Sequence, residues 1–152
     1  MSNEIHIDYS SGNTLYAVVR NGAGEVWYPG GQVFESWGTG SRTANDYDIS
    51  LTDKGGSRYI GDFGCNIPAG RYTIQAFLQA GANPADSDNL VGGEEIVWSG
   101  TGRVTCDKLL ANKAEQNKSS GEIKYYDDDG QTILLTHTPA DAAATITRTP
   151  SL

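Results

Sequence analysis

The sequence predicts a mainly β protein: an antiparallel β-sandwich followed by a short C-terminal helix and a β-hairpin. Apolar residues alternate with polar ones in short runs through the first two thirds of the chain, the period of half-buried strands. The 19 glycines of the 152 residues fall largely between those runs, where turns belong. Only one stretch, residues 104–117, has apolar residues at helical spacing.

Ile5, Ile7 and Tyr9 alternate with His6 and Asp8 and make a first strand. Residues 14–20 (TLYAVVR) make a second, after the Ser10-Ser11-Gly12-Asn13 turn. Asn21-Gly22-Ala23-Gly24 then tolerates positive φ before Glu25-Val26-Trp27-Tyr28, and Gln32-Val33-Phe34 returns beside it. Residues 35–46 read as a surface loop with Trp37 as its anchor. Residues 47–51, 58–63, 71–78 and a run ending Glu95-Ile96-Val97-Trp98 complete a sandwich of about seven or eight strands. Val18, Ile49, Tyr72, Ile74 and Ile96 are its expected core.

The pattern changes at residues 99–102 (SGTG), read as a linker between a sandwich over 1–98 and a helix-plus-hairpin element over 103–152. Leu109, Leu110 and Ala114 define a helix of about three turns with Thr105 as N-cap. Residues 122–126 and 132–136 flank the turn DDDG at 127–130, a hairpin signal. A loop over 139–144 and a third strand over 145–148 follow.

Residues 1–100 carry 12 acids against 5 bases, residues 101–152 carry 7 against 6, and the formal charge is −8. An acidic surface repels phosphate, so no nucleic-acid partner is expected. No basic amphipathic stretch or long apolar run suggests a membrane. The opening MSNEIHIDYSS has no apolar core of a secretory leader, so synthesis in the cytoplasm is expected. Cys65 and Cys106 then read as reduced, partly buried thiols, far apart and without the second pair of a zinc site.

The search for chemistry nominates no catalytic residue, no metal ligand and no cofactor. Asp127, Asp128 and Asp129 invite a calcium reading, but contiguous acids point to different sides, and a solvated turn is the expectation. His6 and His137 lack a neighbouring His or Cys at ligand spacing. There is no GxSxG elbow, and the adjacent Glu94 and Glu95 face opposite sides of a strand. Trp27, Tyr28 and Trp37 stay open between two roles: exposed, they would stack on sugars; buried, they would plug the sandwich.

Two stretches carry a family resemblance. NTLYAVVRN at 13–21 with GEVW at 24–27, IPAGRYT at 67–73 and EIVW at 95–98 resembles a β-module of phage and prophage structural proteins. LLANK at 109–113, GEIKYYDDDG at 121–130 and LLT at 134–136 resemble a helix-hairpin element of phage minor structural proteins. The resemblance implies a non-enzymatic virion component: a tail, baseplate or fibre-associated adaptor, or a capsid decoration subunit. Its partners would be copies of itself and other virion proteins. The hairpin places apolar residues on both faces, so Leu109, Leu110, Tyr125, Tyr126 and Leu134 are the expected assembly interface. A carbohydrate-binding sandwich using Trp27, Tyr28 and Trp37 is the alternative.

Overall fold

A computed structural model describes residues 3–142 and 145–151. The protein is mainly β and antiparallel, with 44% strand against 9% helix, so local helix propensity has little part in its stability. The chain divides into two compact units, Met1–Ile67 with Arg71–Ile96, and Pro68–Gly70 with Val97–Leu152.

The first unit contains β1 (Ile5–Asp8), β2 (Leu15–Arg20), β3 (Val26–Tyr28), β4 (Val33–Glu35), the helical turn α1 (Ala44–Tyr47), β5 (Ile49–Asp53), β6 (Arg58–Gly61), β7 (Gly70–Leu78) and most of β8 (Asn89–Trp98). Their order in the sheet is β1-β6-β5-β2-β7-β8, with β3 and β4 continuing as a hairpin off β2. The sheet curls into a half-barrel instead of splitting into the two facing layers of the expected sandwich. Its first and last strands approach each other. The Glu94 carboxylate on β8 accepts the His6 N–H of β1 at 3.1 Å. A Cβ added at Gly92 would lie 3.7 Å from Ile7 Cγ2. A side chain thereby covers an edge N–H that no strand pairs.

Strand β2 explains the arrangement. Residues 15–19 are all buried, whereas a strand with one wet face alternates. Tyr16 and Val18 pack with Val26, Ala44 and Tyr47 on one side. Leu15, Ala17 and Val19 point to the other side by the period of the strand and are equally buried. The loop expected over 35–46 therefore contains core: α1 presents Ala44 and Tyr47 inward, with a capping box between Thr43 and Asp46. Val18, Tyr72, Ile74 and Ile96 are buried as expected; Ile49 is only half-buried, at the start of the short strand β5.

The second unit begins inside β8, two residues before the expected boundary. Residues 99–102 are not a linker but the turn of a hairpin: Val97 and Trp98 pair with Val104 and Arg103 of β9 (Arg103–Val104). Ser99 donates its N–H to Gly102 O at 2.9 Å and closes that turn. The helix α2 spans only Cys106–Ala111, with Thr105 at its N-cap, so the three-turn helix is shortened to six residues. Asn112 ends it in an extended conformation (φ −84°, ψ 172°). The chain then enters β10 (Ala114–Gln116), which pairs with β11 (Ile123–Tyr126). Long-range pairing wins over local periodicity here. Strands β12 (Ile133–Ala142) and β13 (Thr145–Ser151) complete an antiparallel sheet of order β10-β11-β12-β13. The expected loop over 139–144 is strand as far as Ala142, and residues 143–144 lie outside the described residues.

Candidate functional site

The aromatic residues left open between sugar stacking and a buried plug are largely covered by their own chain. Trp27 is 4% exposed, with its ring 5.1 Å from Phe34. Arg42 lies 4.0 Å over the Tyr28 ring, and its guanidinium pairs with Glu35 at 2.9 Å. Trp37 is covered by Tyr47 at 4.9 Å and by Arg20 at 5.1 Å. The buried Tyr47 hydroxyl donates to Glu35 Oε1 at 2.9 Å; burial, then the Glu35 carboxylate, push its pKa up. The structure divides the three: Tyr28 and Trp37 pack around Tyr47, while Trp27, next to Tyr28 on β3, packs with Phe34 in a separate aromatic group that includes Tyr72.

The three acids of the 127–130 turn are engaged by groups of their own chain, with Lys108 shared between Asp127 and, at 3.6 Å, Asp128. Asp127 holds the Lys108 amine at 2.5 Å. Asp128 accepts from Asn112 Nδ2 at 2.8 Å. Asp129 accepts the Gln131 and Thr132 N–H groups, each at 2.8 Å, and the Thr132 hydroxyl at 2.6 Å. These bonds, the Thr132 hydroxyl first, hold the Asp129 carboxyl down at about 2. A depressed carboxyl contributes stability that is complete above its unfolded value, roughly 3.9, and is lost as pH falls through the folded value. The melting temperature is therefore expected to drop between about pH 4 and 2, and Asp129→Asn to flatten that part of the profile. An unchanged profile in the variant would contradict the assignment.

The expected interface residues separate. Leu110 is 87% exposed and Leu109 half-buried on α2. Tyr125 is half-buried, with its ring 5.5 Å from His137. Tyr126 and Leu134 are 8% and 1% exposed and belong to the core of the second unit, which corrects their placement at an interface. The pairing shifts between Tyr125↔Leu135 and Tyr126↔Ile133, leaving Leu134 as an extra residue. Such a bulge turns successive side chains toward one face, which is why Leu134 and Leu135 are both buried. Tyr126 is further fixed by its hydroxyl bond to Glu115 at 2.6 Å and by Lys113, 4.4 Å over its ring.

Sequence reasoning expected the strand over 145–148 but read 139–144 as a loop, and so missed that β12 runs on to Ala142 and forms a ribbon with β13. β11 reaches only as far as His137, while residues 138–142 pair with residues 145–149. Among the described residues this stretch has no third strand. Its hydrogen-bonding parity follows from the neighbouring pairs. Tyr126 donates its N–H to Lys113 O at 3.0 Å, so Tyr126 and Lys124 aim their backbone groups at β10. Ile123 and Tyr125 aim theirs at β12, where Ile123 meets His137. His137 and Pro139 then form pairs of the non-hydrogen-bonded kind with Pro150 and Arg148. Both prolines stand where the β12–β13 ladder asks no N–H of them. Ile146, Arg148 and Pro150 consequently direct their backbone groups away from β12. On the opposite edge, a Cβ at Gly121 would come within 3.0 Å of the Pro139 ring, so Pro139 abuts the turn before β11. The sequence signal was present in the alternation of TITRT at 145–149 between two prolines.

Cys65 and Cys106 are free and exposed, not partly buried. Among the described residues no helix is long and apolar enough to cross a membrane. No family model, curated protein or solved structure matches this chain.

Proposed function

We propose that this chain is a non-enzymatic structural protein of a tailed-phage or prophage virion, an adaptor of the tail, baseplate or fibre or a capsid decoration subunit, and that it assembles through its C-terminal unit. The observation that carries this reading is the β12–β13 ribbon. A two-stranded ribbon is marginal in water and gains stability from a further strand or a covering surface. The first unit manages its edge differently, with Glu94 accepting the His6 N–H. Two of the acids with depressed pKa values, Asp53 and Asp88, serve the backbone first. Asp53 accepts the Gly12 and Gly55 N–H groups, and Asp88 accepts those of Ala80 and Ala85. Such groups fix loops and need no substrate to explain them. Trp27 is buried, and Tyr28 and Trp37 are half-buried against Arg42, Arg20 and Tyr47, which favours the assembly reading over the sugar-binding alternative.

The test is incorporation. The full chain and a chain lacking residues 138–152 are supplied in trans to particles lacking the endogenous copy, and copy number per purified particle is measured by mass spectrometry. The full chain is expected in the particle at a fixed copy number and the truncated chain to be lost from it. Absence of the full chain from particles overturns the virion reading, and normal incorporation of the truncated chain overturns the role of the ribbon.

A further inference from the structure

We infer that the outer edge of β13 pairs with the same edge of a second copy, antiparallel and centred on Thr147. The inference rests on the assembly reading above and names its partner. The backbone groups that face outward on β13 belong to Ile146 and Arg148, with Pro150 contributing a carbonyl alone, by the parity of the β12–β13 ladder. A two-fold axis at Thr147 sets Ile146 of each copy opposite Arg148 of the other. Each of these pairs exchanges two N–H···O bonds, one in each direction. The proline ends the donor row, so the contact is short; a register centred on Arg148 would also use both outward donors, but it sets the two Arg148 cations opposite each other, which leaves the Thr147 register favoured.

Self-complementarity is what selects a second copy over a foreign strand. An isologous contact needs a segment that matches its own reverse. Around Thr147 the sequence reads Thr-Ile-Thr-Arg-Thr. The axis sets Thr147 opposite Thr147 and Thr145 opposite Thr149, a favourable cross-strand pairing, while the cation at Arg148 falls opposite Ile146 and not opposite its own copy. Charge points the same way. The chain carries −8, yet residues 138–151 hold one acid, Asp141, and one base, Arg148. Two copies of an acidic protein meet with least repulsion on a segment without net charge. The contact is small against the ~1,200 Å² of a standard stable interface, so it is weak for an isolated pair and cumulative in a particle that holds many copies.

The register makes the test specific. Thr147 residues that face each other across the axis have Cα atoms about 4.5 Å apart, inside the range a disulfide spans. Two copies of Thr145, or of Thr149, lie about 13 Å from each other. In full-length protein with Cys65→Ser and Cys106→Ser, Thr147→Cys is expected to give about tenfold more disulfide-linked dimer under oxidised glutathione than Thr145→Cys or Thr149→Cys alone. The double variant Thr145→Cys/Thr149→Cys is expected to cross-link again, because those positions face each other. Adding Arg148→Pro to Thr147→Cys removes an outward donor, leaves the ladder to β12 intact, and is expected to cut the yield about tenfold. No cross-link at 147, equal cross-linking at all three single positions, or indifference to Arg148→Pro overturns the inference. Particle incorporation is measured separately: a chain that cross-links as expected but enters no particle retains the edge pairing and refutes the virion reading.

Discussion

Replacing Tyr47 by alanine is expected to lower the melting temperature by about 10 °C. Tyr47 is fully buried and stands between the Trp37 ring at 4.9 Å and the Tyr28 ring at 6.2 Å. Removing a buried aromatic costs about 3–5 kcal/mol when the surroundings cannot collapse, and roughly 2–4 °C follow each kcal/mol at this chain length. Collapse is hindered because Arg42 and Glu35 are already fixed to each other. Tyr47→Phe keeps the packing and loses only the bond to Glu35 and the acceptor for the Gly38 N–H, so a cost nearer 1–2 kcal/mol is expected. Thermal unfolding followed by circular dichroism separates the two variants. Equal melting temperatures for them would show that the hydroxyl, not the ring, holds the cluster.

The second large effect is expected from a single methyl group. Gly93 lies in β8, and a Cβ there would come 2.6 Å from Ile74 O of the neighbouring β7. That atom is backbone, so relief requires moving one strand away from the other rather than turning a side chain. Overpacking of this kind costs about 1–3 kcal/mol and sometimes more. Gly93→Ala is therefore expected to destabilise strongly, whereas Gly22→Ala, with nothing within 4 Å of its Cβ, is expected to be nearly neutral. Urea denaturation of both variants measures the contrast. Similar midpoints would mean that β7 and β8 separate at little cost.

Both effects come from contacts that alternation cannot reveal. The strands over 5–8, 58–61 and 70–78 were legible because apolar and polar residues alternate between glycine turns, and that over 15–20 as a short continuous apolar run. Which face is buried was legible for Tyr72 and Ile74 for the same reason. How the sheet curls was not, since a sandwich and a half-barrel ask for the same inward face. The helix was overextended because Leu109, Leu110 and Ala114 have helical spacing. What stops it is tertiary: Asn112 Nδ2 donates to Tyr126 O at 3.3 Å and to Asp128 Oδ1 at 2.8 Å, and the next residue receives the Tyr126 N–H. The C-terminal unit was expected to assemble through apolar side chains, and the structure buries two of them instead. Leu134 and Tyr126 looked available because a hairpin read in strict alternation has two apolar faces, and the bulge that buries Leu134 beside Leu135 leaves no mark in the sequence. The edge donors of Ile146 and Arg148 emerge only when the parity of four paired strands is known.

The side-chain seam between β1 and β8 gives the half-barrel a mechanical weak direction. β1 is held along one side by β6, from Ile5↔Gly61 to Asp8↔Arg58. A pull applied at Ile5 and directed away from β6 loads these pairs one after another, as in a zipper. By contrast β2 has β7 along one side and β5 along part of the other, so tension along its axis must shear both ladders together. The exposed Asp8–Arg58 ion pair at 3.1 Å comes last in the zipper and resists little. Under tension the first event is then the release of β1, which uncovers Ile5 and Ile7 while the remaining ladders stay loaded in parallel. The N-terminal strand is expected to act as a fuse, yielding first, with the loss of Ile5 and Ile7 from the core, while β2, β5 and β7 stay paired.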